Sequence, residues 1–120
     1  MIRTIILYTD NFVEFYDKQN EKVQSKIEYV LDLIRFEQHV PIKFFKYLKN
    51  SDGIYEVRVI TTFKSIRILC FMDEGKLVVL TNCFIKKTQK TPRKEIKLAE
   101  RLKTEYFNEK TKKDEKYNHI

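Results

Sequence analysis

Apolar positions along the chain change their spacing three times, and each change marks a change of element. Arg3 to Thr9 opens with Ile5, Ile6, Leu7 and Tyr8 close together, a β-favouring cluster that predicts a strand. Asp10 or Asn11 can then cap a helix that carries Phe12, Phe15 and Tyr16. A longer helical stripe follows at steps of three and four: Val23, Ile27, Val30, Leu31 and Ile34. Lys22, Gln24, Lys26, Glu28 and Asp32 lie between them, as a helix buried on one side requires. Pro41 closes this region, because the residue before a proline is pushed out of helical geometry. Phe44, Phe45 and Leu48 predict one further helical turn, and Asn50-Ser51-Asp52-Gly53 is a strong turn signal.

Beyond Gly53 the period falls to two. Ile54–Thr61, Ile66–Met72 and Leu77–Ile85 read as three strands of a meander, joined by a loose turn at Thr62–Ser65 and a two-residue turn at Glu74-Gly75. Thr91 then reads as the cap, and Pro92 as the first-turn proline, of a last helix with Ile96, Ala99, Leu102 and Tyr106 or Phe107 on one face. From Asn108 onward nearly every residue is polar, which predicts a single domain over 1–107 and a frayed tail over 108–120. The fold class is α+β: a small, mostly antiparallel sheet (N-terminal strand plus three-strand meander) packed on two N-terminal helices, with a C-terminal helix.

Hairpins sort the strand residues into faces. Where the connecting loop has an even length, residues of opposite parity share a face across the pair. One face then carries Tyr55, Val57, Val59, Ile66, Ile68, Cys70, Met72, Leu77, Val79, Thr81, Cys83 and Ile85, and must pack on helices. The other carries Glu56, Arg58, Ile60, Arg67, Leu69, Phe71, Val78, Leu80, Asn82, Phe84 and Lys86. Arg58 and Arg67 face each other directly on this mixed side. Like charges so placed are destabilising, and an anion is expected between them. That anion is either the Glu56 carboxylate, in a structural network, or a bound phosphate on a basic face flanked by aromatics.

Composition narrows the partners. The chain holds 24 Lys+Arg against 17 Asp+Glu, a formal net charge of +7, which suits an anionic partner such as nucleic acid. Its two cysteines, Cys70 and Cys83, stand inside apolar runs with no Cys-x-x-Cys pair and no His/Cys cluster, so they read as buried reduced thiols and not as zinc ligands. No signal peptide or membrane span is evident, and the chain is expected in the cytoplasm, away from membranes. His39 and His119 read as ordinary surface residues.

The most informative segment is Phe84-Ile-Lys-Lys-Thr-Gln-Lys-Thr-Pro92, followed by Glu95-Ile96 and Ala99. It brings Lys86, Lys87 and Lys90 to a strand end beside a helix N-terminus, which itself favours anions. Together with Gly53-Ile-Tyr-Glu-Val-Arg58 and the Arg67-Ile-Leu strand, this segment resembles the phage-derived, HigB-like branch of the RelE/ParE toxin superfamily. The resemblance covers about Arg3 to Phe107.

Such a resemblance implies a RelE-like fold and the toxin of a type II toxin–antitoxin pair. Its cognate antitoxin would be a helix-turn-helix protein from the adjacent gene. For RelE and HigB relatives it implies cleavage of mRNA on the ribosome, by attack of a ribose 2′-OH on the adjacent phosphate, with no metal or other cofactor. Carried onto this chain, Arg58, Arg67 and Lys86 would hold and activate the phosphate. Lys87, Lys46, Lys49 and Lys90 would contact RNA. Some relatives place a histidine or a C-terminal tyrosine near the phosphate, and Tyr106 has the spacing of a core residue as much as of a catalyst. The general acid and base are unassigned. Two rival functions share these features: a ParE-like inhibitor of DNA gyrase, and a nucleic-acid-binding module without catalysis.

Overall fold

A computed structural model describes residues 1–118. Five strands form one mixed sheet in the order β1-β5-β4-β3-β2. These are β1 (Thr4–Leu7), β2 (Phe45–Tyr47), β3 (Ile54–Ile60), β4 (Ser65–Asp73) and β5 (Leu77–Ile85). The meander β3-β4-β5 is antiparallel as its period-two runs predict, whereas β1 pairs with β5 in parallel. Helices α1 (Asn11–Asp17) and α2 (Glu21–Phe36) carry the chain from β1 to β2 at the far edge of the sheet, so that the meander returns β5 to lie parallel beside β1.

The expected stripe is the buried face of α2. Val23, Ile27, Val30, Leu31 and Ile34 all lie in the core, with Val57, Val59, Ile66, Ile68 and Cys70 of the sheet beneath them. Asn20 caps this helix, its side chain accepting from the Val23 N–H at 3.0 Å. At the other end Arg3 donates to the carbonyls of Ile34 and Glu37 at 3.0 and 2.9 Å, satisfying groups that the last turn leaves open.

A third helix, α3 (Arg93–Asn118), covers the opposite face. There Ile96 and Ala99 pack with Leu48, Ile54, Leu69, Phe71 and Val79 in a second core. The helix continues past Phe107 to Asn118, through the residues expected to form a tail. No Gly or Pro interrupts that stretch, and Lys110 anchors it to Asp73 at 3.0 Å. His119 and the end of the expected tail lie outside the described residues.

Three local expectations give way to specific causes. Phe44–Leu48 is not a helical turn: Phe45–Tyr47 is the edge strand β2, in register with Val57–Tyr55. The turn after it forms as expected, with Asn50 and Gly53 at φ of 67° and 74°. Glu74-Gly75 is part of a three-residue turn, Glu74–Lys76, since Asp73 pairs with Leu77. That odd loop reverses the parity of β5 near the turn, so Val78 and Leu80 pack under α1 and α2 while Leu77 and Val79 face α3. A bulge then restores it: Ile68 pairs with Cys83 but Cys70 with Leu80, so Thr81 and Asn82 together oppose Leu69. Thr81, expected among the apolar residues, is fully buried with its hydroxyl donating to the Leu69 carbonyl at 3.0 Å. Ile85, expected in the core, is exposed at the strand end.

Candidate nucleic-acid interface

Strand register assembles the charged site. Lys46 pairs with Glu56, and Arg58 pairs directly with Arg67, on the common face that the parity of the β3–β4 hairpin predicts for the two arginines. All four belong to the sheet face shared with α3, and Lys86 follows where β5 ends, its N–H bonded to the Ser65 carbonyl at 2.7 Å. Two opposed unit charges about 4 Å apart repel by about 4 kcal/mol at an effective dielectric of about 20, so this pairing needs compensation. Glu56 supplies it.

The Glu56 side chain is wholly buried, and its Oε1 lies 2.8 Å from Arg58 Nε and 3.3 Å from Arg67 Nε. Its other oxygen accepts from the hydroxyl of Thr91. Thr91 is therefore not the cap of α3: Pro92 supplies the first carbonyl, which accepts from the N–H groups of Glu95 and Ile96. Arg67 is only 6% exposed, and its Nε, though close to Glu56, makes no hydrogen bond. Burial first, and Arg58 second, lower the pKa of its guanidinium against the pull of Glu56. Arg67 is thus a buried charge behind the surface, where the sequence reading had it reaching the phosphate.

The surface in front is a cleft of about 540 Å³ whose walls include Lys46, Lys49, Arg58, Lys86, Lys90 and Thr91. Five of the seven residues expected to meet RNA converge here; Lys87 is exposed outside it, and Arg67 lies beneath. Among the described residues the lining contains no acidic side chain. Lys86 is half-buried, and its pKa is lowered by burial and then by Arg67, Arg58 and Lys46, with Glu56 opposing. A neighbouring cleft shares Lys49, Lys90 and Thr91 and adds Arg93. The turn that forms its wall is held by α3: Glu100 accepts from the Asp52 N–H at 2.7 Å, and Arg93 donates to the Asn50 carbonyl at 3.2 Å.

Residues 14–104 match the model of the family described as "Phage derived protein Gp49-like (DUF891)". The chain belongs to this family. No curated protein sequence matches it. Among solved structures, a chain in the crystal structure of the archaeal RelE–RelB complex from Pyrococcus horikoshii OT3 is similar. It superposes with a TM-score of 0.55 at 13% identity, over 72% of this chain and 98% of that one. At that identity the likeness is one of fold, and the Gp49-like chain has a RelE-like fold.

Other chemistry-bearing residues of the Gp49-like chain stand apart from the cleft. His39 is exposed after α2, away from the cleft lining. Tyr106 belongs to another cluster, donating to Asp73 at 2.7 Å with its ring against Tyr8, Phe71 and Phe107. Burial raises the thiol pKa of both Cys70 and Cys83, which makes them inert packing groups. Among the described residues, no three His, Cys, Asp or Glu side chains gather as a metal site, and no helix is long and apolar enough to cross a membrane. Thr91 is the site residue that sequence reasoning missed. Its position before Pro92 made it look like a helix cap, and only the fold brings it to Glu56.

Proposed function

We propose that this Gp49-like protein is the toxin of a type II toxin–antitoxin system, of the HigB-like branch, and that it cleaves mRNA on the ribosome in the cytoplasm. The observation that carries this reading is the cleft in which Arg58, Lys46 and Lys86 meet, with no acidic side chain in its lining among the described residues and Arg67 behind them. Such a surface suits a phosphodiester whose negative charge grows during reaction. The RelE-like fold supports the same reading, and the RelE–RelB complex supports a partner antitoxin, expected from the adjacent gene.

In the proposed reaction a ribose 2′-OH loses its proton and attacks the adjacent phosphorus. The bond to the 5′-oxygen breaks, that oxygen takes up a proton, and a 2′,3′-cyclic phosphate and a 5′-OH result. Arg58 would face the phosphate and stabilise the pentavalent charge. Lys86, half-buried beside other cations and so more readily deprotonated than an ordinary lysine, is suited to exchange a proton with one of the two oxygens. Lys46, Lys49 and Lys90 would hold flanking phosphates, and Lys87 would add attraction at the rim. Arg67 would act from beneath by its charge.

The test is primer extension on mRNA after brief induction, with translating ribosomes present and absent. Cleavage only on ribosomes, and relief of growth arrest by the adjacent gene's product, is the expected result. Growth arrest with intact mRNA and inhibited gyrase would replace this reading with the ParE-like one. RNA binding with no cleavage would leave a binding module.

A further inference from the structure

Glu56 is the centre of the charged site yet meets no solvent. Its two oxygens serve three groups from three places in the chain: Arg58 on its own strand, Arg67 on β4, and Thr91 at the end of the lysine loop. The loop leaves the sheet at Lys86, where the backbone bond to Ser65 ends the ladder. Between there and Pro92 its other side-chain hydrogen bond is local, Thr88 to the Lys90 carbonyl at 2.7 Å. Among the described residues, the bond from Thr91 to Glu56 is the one hydrogen bond that ties residues 87–91 back to the sheet. Lys90, on that loop, forms part of the cleft wall.

A carboxylate fits this position better than any neutral group. It accepts from Arg58 and from the Thr91 hydroxyl at once, and it cancels one of the two arginine charges that strand register forces together. A neutral amide of the same shape could still accept from one side and donate to Thr91, but the two arginines would then lack a counter-charge. Lys86 would also lose the one neighbour that favours its protonated form, against Arg67, Arg58 and Lys46, which oppose it.

We infer that Glu56 is a positioning residue of this site: its carboxylate aims Arg58 into the cleft and, through Thr91, pins the lysine loop beside it. The inference rests on the nuclease reading for its catalytic consequence, while the pinning itself is a property of the free protein. Both are tested with Glu56→Gln, Thr91→Val and Thr91→Ser in the full chain.

In the free protein, amide exchange at residues 87–91 should rise about tenfold in Thr91→Val, the loss expected for one charge-assisted hydrogen bond, and return to wild type in Thr91→Ser. The Lys86 ammonium, followed by NMR in lysine-labelled protein, should titrate at lower pH in Glu56→Gln than in wild type. In single-turnover cleavage on programmed ribosomes, Glu56→Gln should lower the rate by about 10²-fold, the scale of a misplaced catalytic group. Thr91→Val should chiefly raise the ribosome concentration needed, with Thr91→Ser restoring it. Unchanged loop exchange in Thr91→Val, or wild-type single-turnover cleavage by folded Glu56→Gln, would overturn the inference. Should Glu56→Gln fail to fold, the Thr91 pair decides the pinning alone. A wild-type protein that cleaves nothing would instead overturn the nuclease reading, with the exchange result still deciding the loop.

Discussion

Tyr106→Phe separates a structural tyrosine from a catalytic one. The hydroxyl donates to Asp73 Oδ2 at 2.7 Å, while the ring packs edge-on against Phe71 and Tyr8. The substitution keeps the ring and removes the donor. The Asp73 side chain is 4% exposed and retains the Glu74 N–H at 2.7 Å and Lys110 at 3.0 Å. The Lys110 side chain is 42% exposed, so its attraction is screened and compensates little. Loss of one hydrogen bond to a buried charge costs about 2 kcal/mol. For a chain of this size that lowers Tm by about 8 °C.

The pH dependence of that loss has a defined sign. Burial alone would raise the Asp73 pKa, but the hydrogen bonds from Tyr106, the Glu74 N–H and Lys110 outweigh it and hold the carboxyl below its ordinary value. A depressed carboxyl contributes its full stabilisation above the unfolded value near pH 4 and loses it as pH falls through the folded one. Burial and then the bond to Asp73 push the Tyr106 pKa up to about 12, so its contribution is complete below about pH 10 and lost as pH rises toward that value. The gap in stability between wild type and Tyr106→Phe should therefore be widest near neutrality and narrow below about pH 4 and above about pH 10. Thermal melts across that range measure it, and cleavage should be unchanged. A gap of the same size at pH 3 and pH 7 would refute the reasoning that the bond is to a charged carboxylate. Lost cleavage in a folded variant would bring Tyr106 into the site.

Further outcomes follow from the core and the cleft. Ile27, wholly buried between α2 and the sheet, should lose about 2–5 kcal/mol as Ile27→Ala, read from urea midpoints at constant m. Lys46→Ala and Lys90→Ala should each weaken RNA binding and flatten its dependence on log salt by about 0.7, the loss of one single-strand phosphate contact. Lys112→Ala, exposed on the far part of α3, is the control and should change neither property.

Much of this architecture was legible because period and burial agree. The α2 stripe from Val23 to Ile34 is the buried face of that helix, and an even loop, expected at Thr62–Ser65 and formed by residues 61–64, correctly put Arg58 and Arg67 on one face. The failures have local causes. Phe44, Phe45 and Leu48 have helical spacing, yet Phe45 and Leu48 serve different cores on opposite faces of the sheet, which only the pairing of β2 with β3 reveals. One extra turn residue, Lys76, moved Val79 to the face covered by α3, and the bulge at Thr81-Asn82 hid the error from the strand end onward.

The candidate site was legible by residue type but not by depth. Arg58, Lys46, Lys49, Lys86 and Lys90 converge, whereas Arg67 was expected at the surface and lies beneath it. Charge pattern locates cations on a face, but burial depends on what packs over that face. Here Arg67 is buried beside Glu56, which Thr91 at the end of the lysine loop also reaches, and that loop could not be placed from the strands alone.

The central claim is that this cleft cuts RNA through charge stabilisation by Arg58. Single-turnover cleavage on programmed ribosomes, comparing wild type with Arg58→Ala after melts confirm folding, addresses it most directly. Removing one preorganised donor should slow the chemical step by about 10²–10³-fold, roughly 3–4 kcal/mol, at saturating ribosomes. A folded Arg58→Ala protein that cleaves at the wild-type rate would contradict it.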